Sequence, residues 1–439
     1  SDGPPSDPAP SRLAYPLRMA DPPDDVQARI HELRDLLTRA NHAYYVDAAP
    51  IMSDREFDER MDELVRLEDA HPELADHNSP SARVGGEPID GFTTVPHAVP
   101  MRSIDNTYDT DDLLAWRDRV YRGLDAEPDD VAWFADPKID GVAVSLRYER
   151  GNLTLAASRG DGRQGDDITA QARAIRPVPL VLRQPDHHPV PELLEVRGEV
   201  YMPQSEFRRI NRERTERDEE PFANARNSTA GTLKSLDPAV VAERRLRFVV
   251  HGIGDRSDDV TVATHHDFLD LCRALGLPVS DRGRYCPTFD DVLDHIENFR
   301  EARESLDYEV DGMVVRVDDF RRQNALGSTS KAPRWAIAFK YPAEQGITRL
   351  IRVDWQIGKG GTLTPRATME PLQLAGTTVQ HATLHNIEEI QRKDIHLGDT
   401  VVVEKAGEII PQIVRVLAEK RPPDATPVEA PTVCPVTGA

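Results

Sequence analysis

The chain has few cysteines and no long apolar segment. Its three cysteines, Cys272, Cys286 and Cys434, show no paired spacing of the kind that metal or redox motifs require. Neither a signal peptide nor an apolar run long enough to span a membrane is visible. We therefore expect a protein of a reduced, cytoplasmic compartment that does not cross a membrane.

Positive charge is also in short supply. Lysine and arginine number 54 against 76 acidic residues, so the formal net charge at pH 7 is -22. A uniformly acidic surface would repel nucleic acid, because phosphate contacts need lysine and arginine. The basic residues are unevenly distributed, however, and concentrate between Arg316 and Arg352, with Lys359 just beyond. That concentration could form one cationic face on an otherwise acidic protein.

A length of 439 residues predicts two or three domains with sizeable cores. Residues 1–22 are rich in proline, serine and aspartate, a composition that predicts a disordered tail.

A lysine stands between an apolar strand and a glycine turn in the segment Lys138-Ile139-Asp140-Gly141. The strand pattern of residues 131–134 precedes it, and residues 142–148 then alternate as a half-buried strand does. Lys138 is therefore expected at the edge or mouth of a sheet, where an amine could be held against a phosphate. As a nucleophile it would attack phosphorus as a neutral amine. The motif is short, and by itself it is more typical of a solvated surface lysine than of a catalytic one.

A second strand pattern carries charges on one face. Residues 193–201 place Glu195, Arg197 and Glu199 at positions of equal parity, so the three side chains should share a face. Before it, a glycine-rich turn that begins at Arg159 follows the predicted strand of residues 153–158. Each charge alone would fit a surface strand or a hairpin.

The same theme returns farther along the chain. Residues 308–316 place Asp311 directly before a glycine inside an apolar run, and residues 335–342 end with Lys340. Together with Lys138, these positions bring a lysine, several carboxylates for a divalent cation and further cations for phosphate onto strand ends. This combination predicts a nucleotidyltransferase.

Two segments near the N terminus and one near the C terminus complete the pattern. Helical spacing of apolar residues is present in two segments, at Val26, Ile30, Leu33 and Leu37 and at Phe57, Met61, Leu64 and Leu67. Before the second segment, Ser53 and Glu56 form a capping box. After residue 342 the pattern changes to short strands, at residues 351–357, 378–379, 400–403 and 409–416, separated by tight glycine turns. Such a series is typical of a small β-barrel.

The order of these motifs resembles that of the covalent nucleotidyltransferases, and most closely that of bacterial NAD-dependent DNA ligases. The resemblance rests on Lys138–Gly141, Glu195–Glu199, residues 311–315 and Phe339-Lys340, and on longer matches at residues 101–106, 222–227, 230–234 and 382–386. It implies an α+β multidomain protein. Its expected parts are a helical nicotinamide-mononucleotide-binding domain (23–90), a nucleotidyltransferase core with ATP-grasp-like antiparallel sheets and helices (91–342), an oligonucleotide-binding (OB) barrel (343–430) and a zinc-region stub (431–439).

The resemblance also implies a reaction and a cofactor. Lys138 would attack NAD, form lysyl-AMP and release nicotinamide mononucleotide. The AMP would pass to the 5′-phosphate of a nick in double-stranded DNA, and the 3′-hydroxyl would then seal the strand, as DNA replication and repair require. Mg²⁺ is the metal that the family uses. A bacterial protein of this kind would be a cytoplasmic, nucleoid-associated monomer.

Residue roles carry over position by position. Asp140 would orient or deprotonate Lys138. The nucleotide pocket would be lined by Asp136, Ser103, Ile104, Arg159 and Glu199. Phosphate would be contacted by Arg316 and Lys340, and Mg²⁺ would be held by Glu199 and Asp311. Positions near the active-site edge or DNA are Arg226, Lys234, Arg303 and Lys359. In the N-terminal helices, Tyr44, Tyr45, Asp54 and Asp58, with Phe57 beside them, would bind the nicotinamide half of NAD, because aromatic faces and carboxylates suit a pyridinium cation.

The sequence departs from the family pattern at three places. Asp136 replaces the usual glutamate two residues before the lysine, and Arg316 replaces a usual lysine. Asp311 and Arg316 also have opposite parity, so a regular strand could not direct both inward. Near the end, Cys434 is not followed by the second cysteine of a Cys-x-x-Cys pair, so we expect no zinc in this chain and a C-terminally truncated protein.

Two other interpretations stay open at this stage. An ATP-dependent ligase or capping enzyme would share the later motifs but would leave the segment from Tyr44 to Asp58 without a cofactor role. A non-catalytic DNA-binding scaffold would retain the barrel and bind DNA without forming a covalent nucleotide.

Overall fold

The computed structural model describes residues 24–45, 49, 51–76, 78–83, 90–184, 189–222, 224–341, 345–357, 363–374, 377–406 and 410–431. The predicted tail of residues 1–22 lies outside this part, as do Lys359 and Cys434 with their predicted roles. The chain forms two compact units, residues 1–82 and residues 83–439.

The helices have the following bounds: α1 (Asp24–Tyr45), α2 (Asp54–Ala70), α3 (Thr110–Leu124), α4 (Thr169–Ala174), α5 (Gln204–Glu216), α6 (Ala225–Leu233), α7 (Pro238–Glu243), α8 (His265–Ala274), α9 (Phe289–Ala302), α10 (Phe320–Leu326) and α11 (Ile387–Arg392).

The strands are β1 (Thr94–Pro96), β2 (Asn106–Thr107), β3 (Trp133–Ile139), β4 (Val142–Glu149), β5 (Asn152–Ser158), β6 (Gln164–Asp166), β7 (Leu193–Tyr201), β8 (Arg247–Arg256), β9 (Arg284–Cys286), β10 (Val310–Val317), β11 (Ala336–Phe339), β12 (Gln345–Ile357), β13 (Leu363–Leu374), β14 (Thr377–Thr383), β15 (His396–Leu397), β16 (Thr400–Ala406), β17 (Ile410–Val416) and β18 (Thr426–Pro427).

The first unit is a helical pair. Its small core consists of Ile30, Leu33 and Leu37 from α1 with Leu64 from α2, which confirms the helical spacing read from the sequence. The predicted capping box is present: the Ser53 side chain accepts from the Glu56 backbone N–H, and the Glu56 side chain caps Ser53 in return.

The second unit contains two sheets that bear the predicted nucleotidyltransferase motifs. One has five strands in the order β2-β11-β10-β3-β9, antiparallel except for the parallel pair β11 and β2. Aromatic side chains fill its core, and the Trp133 and Phe289 rings meet edge to face with centroids 4.9 Å apart. The other sheet has four antiparallel strands in the order β5-β4-β7-β8.

Five of the strands after residue 342 close into a barrel in the order β12-β13-β14-β17-β16, as predicted, and β15 pairs with β18 in a separate two-stranded sheet. The sequence does not predict β13, because Pro365 and Pro371 interrupt it. The structure accommodates Pro371 at a register shift between Thr368 and Leu372, where the ladder with β14 is interrupted. The predicted α+β architecture with a small barrel is confirmed.

Candidate active site

Lys138 lies near the end of β3, beside a bulge in β10. The register of the two strands shifts between Val310 and Gly312, so Asp311 is an extra residue in the ladder. A Cβ atom on Gly312 would lie 2.3 Å from the Phe339 carbonyl oxygen, so only glycine fits the close approach of β11. The bulge turns the Asp311 carboxylate toward Lys138.

Asp311 is shared by two lysines. Lys138 Nζ lies 3.0 Å from the carboxylate and donates a hydrogen bond to Oδ2, while Lys340 Nζ lies 3.2 Å from the same oxygen. The exposed fractions of the side chains are 28% for Lys138, 24% for Lys340 and 12% for Asp311. Asp311 Oδ1 is buried and also lies 3.0 Å from Lys138 Nζ, so the ammonium faces both carboxylate oxygens. The cluster thus carries two cations for one carboxylate.

The bulge also resolves the parity conflict between Asp311 and Arg316. Because β10 is not regular at Asp311, both side chains reach the face that carries Lys138. Arg316 donates from Nη2 to Asp136 Oδ1 at 2.8 Å and from Nη1 to the carbonyl oxygen of His251 at 2.7 Å. Burial raises the pKa of Asp136, and the adjacent Arg316 cation opposes that rise. The two departures from the family pattern are therefore partners in one buried ion pair.

Glu199 on β7 approaches Lys138 from the second sheet. The turn between β3 and β4 brings the sheets together, because a Cβ atom on Gly141 would lie 2.3 Å from the Val200 carbonyl oxygen. Burial raises the pKa of Glu199 to about 8, although Lys138 and other nearby cations partly oppose this. His251 Nε2 lies 3.8 Å from Glu199 Oε2, and burial and two arginines lower the pKa of His251 to about 3.

Asp140 was predicted to orient Lys138, but its hydrogen-bond partner is Arg226. Lys138 itself contacts Asp311. Arg226 Nη1 donates to Asp140 Oδ1 at 2.7 Å. Arg226 is in the first turn of α6, whose N-cap residue Asn224 accepts from the Asn227 backbone N–H. Burial raises the pKa of Asp140, and Arg226 opposes that rise. Asp140 thus acts on Lys138 through its charge and anchors Arg226 at the site.

The loop that bears Ser103 and Ile104 is fixed to β7. Arg197 donates from Nη1 to the carbonyl oxygen of Pro100 at 3.2 Å and from Nη2 to that of Val99. Arg197 shares the face of β7 that carries Glu199, as the sequence predicts. Ser103 is exposed and Ile104 half-buried, so the loop offers both a polar and an apolar group.

The remaining predicted residues of this unit lie at its surface. Arg159 is exposed, and its backbone N–H donates to the carbonyl oxygen of Ala143, which pairs with Glu199. Lys234 is exposed at the C-terminal end of α6. Arg303 makes a cation–π contact with Tyr341, with its guanidinium 4.7 Å from the centre of the ring.

The N-terminal candidates belong to the helical unit. Tyr44 is 44% exposed near the end of α1, Asp58 is exposed on α2, and Phe57 beside it is half-buried. The side chains of Tyr45 and Asp54 lie outside the described residues. Accessible aromatic and acidic groups are thus present on both helices.

Two features of the site were not predicted from the sequence. One is the presence of His251, and the other is the contact by which Arg197 holds the loop of Val99 and Pro100. His251 interrupts an apolar run on β8, and that polar residue is the signal that could have identified it. The contact of Arg197 with a loop almost a hundred residues earlier leaves no local trace in the sequence.

In the described part of the chain, no group of three or more histidine, cysteine or acidic side chains is placed so that it could coordinate a metal ion by itself. Cys272 and Cys286 are buried free thiols. Among the same residues, none of the helices has the length and apolar character needed to cross a membrane.

Three family models match the chain, in the same order as the predicted parts. They are the DNA ligase-like N-terminal NAD⁺-binding domain at residues 23–85, the NAD-dependent DNA ligase adenylation domain at residues 89–344, and the NAD-dependent DNA ligase OB-fold domain at residues 347–425.

Curated relatives agree with these matches. A DNA ligase of Thermotoga maritima is 45% identical over 420 residues, covering 95% of this chain and 59% of its own length. A DNA ligase of Synechococcus sp. (strain CC9605) is 47% identical over 425 residues, covering 96% of this chain and 61% of its own length. The chain therefore spans about three fifths of the length of these relatives.

Solved structures of ATP-dependent ligases are only remotely similar. The bacteriophage T7 enzyme in complex with ATP is 13% identical, with a TM-score of 0.31 over 72% of this chain and 98% of that one, which is too weak to support a conclusion. The family models and the curated relatives are decisive, and by them this chain belongs to the NAD-dependent DNA ligase family.

Proposed function

We propose that this chain takes AMP from NAD onto Lys138 and passes it to the 5′-phosphate of nicked double-stranded DNA, which the 3′-hydroxyl then seals. The observation that carries the proposal is the arrangement of Lys138 at a strand end, in contact with Asp311 and beside Lys340 and Glu199. Family membership supports NAD and DNA as the substrates.

The first transfer needs a neutral amine. The Lys138 Nζ proton moves toward Asp311, which already accepts its hydrogen bond at 3.0 Å, and the freed electron pair forms the N–P bond. The P–O bond to nicotinamide mononucleotide breaks, and its electron pair stays on the leaving phosphate. Lys340, on the same carboxylate, keeps a positive charge beside the phosphate throughout.

The second transfer takes place at the adenylyl phosphorus, and the third takes place at the 5′-phosphorus of the DNA. An oxygen of the 5′-phosphate attacks the adenylyl phosphorus, and the N–P bond breaks with return of a proton to Lys138. The 3′-hydroxyl oxygen then attacks the 5′-phosphorus and loses its proton to solvent, while the P–O bond to AMP breaks and AMP leaves. Such phosphoryl transfers depend mainly on positioning and charge neutralisation, which Lys340 and Arg226 offer at this site.

Mg²⁺ fits the donor set that the structure presents. Asp311 offers two carboxylate oxygens whose contacts among the described residues are with the Lys138 and Lys340 ammonium groups, and Glu199 is a further oxygen donor at the same cluster. Mg²⁺ commonly binds through one or two carboxylates plus substrate phosphates and water, so a full protein cage is not required. Asp311 and Glu199 would hold the ion, which would supply charge neutralisation for the nucleotide phosphates.

Tyr44, Tyr45, Asp54 and Asp58 are proposed to bind the nicotinamide half of NAD. Exposed aromatic and acidic groups on α1 and α2 support this role. For the cell we propose a monomer in the bacterial cytoplasm that works on the nucleoid in replication and repair.

The decisive test is the intact mass of the protein after incubation with Mg²⁺ and either NAD or ATP, without DNA and after removal of any bound AMP. We expect one added AMP from NAD only. Lys138→Ala should abolish the adduct, whereas Lys331→Ala, at an exposed lysine of the same unit, should retain it. An adduct formed with ATP would contradict the NAD assignment. Absence of any adduct would favour a DNA-binding scaffold.

The nicotinamide site has its own test. Asp58→Ala should raise the KM for NAD in self-adenylation about tenfold or more, because a carboxylate facing a pyridinium cation is lost. Transfer of AMP from adduct formed beforehand to nicked DNA should be unchanged. Asp62→Ala, at another exposed acid of α2, is the matched control. An equal loss in both steps would argue against a cofactor role for Asp58.

A further inference from the structure

Two arginines share one aromatic ring outside the site described above. The guanidinium carbons of Arg214 and Arg244 lie 4.3 Å and 5.1 Å from the centre of the Phe222 ring. Arg214 belongs to α5, and Arg244 directly follows α7. The cation–π contacts hold two like charges close together at a half-buried position.

The two charges are unequally compensated. Arg214 pairs with Glu219 at 2.8 Å. Arg244 donates to the Thr232 hydroxyl at 2.8 Å, and among the described residues it has no carboxylate as an ion-pair partner. Burial and the Arg214 charge lower the pKa of Arg244, and the charge of the adjacent Glu243 opposes this only in part, so the Arg244 cation is destabilised at this position. A bound anion would remove this cost, and a planar guanidinium is well suited to phosphate.

Helix α6 connects this pair to the active site. Arg226 in its first turn contacts Asp140 beside Lys138, and Thr232 in its last turn contacts Arg244. Six residues of helix separate the two positions, which is about 9 Å along the axis. The NAD phosphate that Lys138 attacks must lie within roughly 3.5 Å of Nζ, whereas Arg244 contacts the opposite end of α6 from the residue that meets Asp140.

We infer that Arg214 and Arg244, held by Phe222, bind a phosphodiester of the DNA backbone a few nucleotides from the reacting 5′-phosphate. The inference rests on the proposed function. With a net charge of -22, the protein must approach DNA through local cationic sites, and Lys234 follows α6 at the same end. Phosphate contacts of this kind position the duplex without reading its sequence.

The test measures binding of the whole chain to a fluorescent nicked duplex with a 5′-phosphate over a range of salt concentrations. Loss of one phosphate contact should lower the slope of log affinity against log salt by about 0.9, which is up to about eightfold in affinity near 0.1 M salt. We expect this for Arg244→Gln and a similar loss for Arg214→Gln. Arg244→Lys should retain most of the affinity, and Arg273→Gln, at a surface arginine paired with Asp270, should retain all of it.

Self-adenylation with NAD separates the outcomes. We expect it to be unchanged in all these variants, which also shows that they fold. A raised KM for NAD in Arg244→Gln would assign the anion to the cofactor and overturn the inference. Unchanged affinity and slope in both glutamine variants would overturn it as well, as would a wild type that forms the AMP adduct but does not bind the duplex at low salt. Absence of the adduct in the wild type would instead contradict the proposed function.

Discussion

Two ion-pair clusters on the same face of β3 and β10 differ in their charge balance. Arg316 and Asp136 form a one-to-one pair whose side chains are only 6% and 7% exposed. Lys138, Lys340 and Asp311 form a two-to-one cluster that is partly open. The first pair is internally neutral and almost fully buried, whereas the second has a surplus cation and is partly exposed. Charge balance and exposure, more than residue type, therefore distinguish the two clusters.

Removing the central carboxylate would break the open cluster. Asp311→Asn keeps the shape but loses the proton acceptor of Lys138, so we expect self-adenylation to slow about a hundredfold or more. The fold should remain, because asparagine keeps the volume of Asp311 and its amide oxygen can still accept hydrogen bonds from the two lysines. Rates of AMP adduct formation, measured by mass spectrometry, provide the check. Asp319→Asn, at a helix N-cap of the same unit, should leave the rate unchanged.

Breaking the closed pair should affect stability first. Arg316→Met leaves Asp136 buried without its partner, which is expected to cost about 3–5 kcal/mol in the free energy of unfolding. Because burial favours the protonated form of Asp136, the loss should be smaller near pH 5 than near pH 8. Urea denaturation at both pH values measures this.

The double variant Asp136→Asn/Arg316→Met separates the effect of charge from that of packing. Its free energy of unfolding should lie well above that of Arg316→Met, because no unpaired charge is left in the interior. A double variant as unstable as Arg316→Met alone would show that the packing of Arg316, and not its charge, supports the fold.

The last comparison concerns Glu199 and the pH dependence of stability. Its pKa of about 8 in the folded state lies above its unfolded value, so the folded protein holds a proton that the unfolded chain loses. This contribution to stability is complete below about pH 4.5 and is lost as the pH rises through about 8. Glu199→Gln should therefore gain stability relative to wild type as the pH rises across this window.

A matched control is available on α11. The pKa of Glu389 is lowered to about 2 by its hydrogen bonds to Arg392 and Lys393, so this carboxylate is ionised in both states above about pH 5. The stability difference between Glu389→Gln and wild type should be constant across the window. If Glu199→Gln is also constant, the Glu199 carboxylate is ionised in the folded protein, and the open cluster carries less positive charge than we infer.

Much of the architecture could be predicted because its signals are local. The capping box at Ser53 and the alternation in β7 depend on neighbours within a few residues, and both are confirmed. The residue roles taken from the family, such as the phosphate contact of Arg316, remain predictions. The sequence showed the parity conflict between Asp311 and Arg316 but not the bulge that resolves it, because a bulge depends on the neighbouring strands and not on the segment itself.

The sequence by itself determined the motifs, their order along the chain and the family to which they belong, because these follow from residue identity and short spacing. Only the tertiary structure decided the partners. It placed Lys138 against Asp311, Asp140 against Arg226 and Arg316 against Asp136. Each contact joins residues far apart in sequence, so its existence depends on strand register, a bulge and burial. Those same factors set the charge balance on which the chemistry depends.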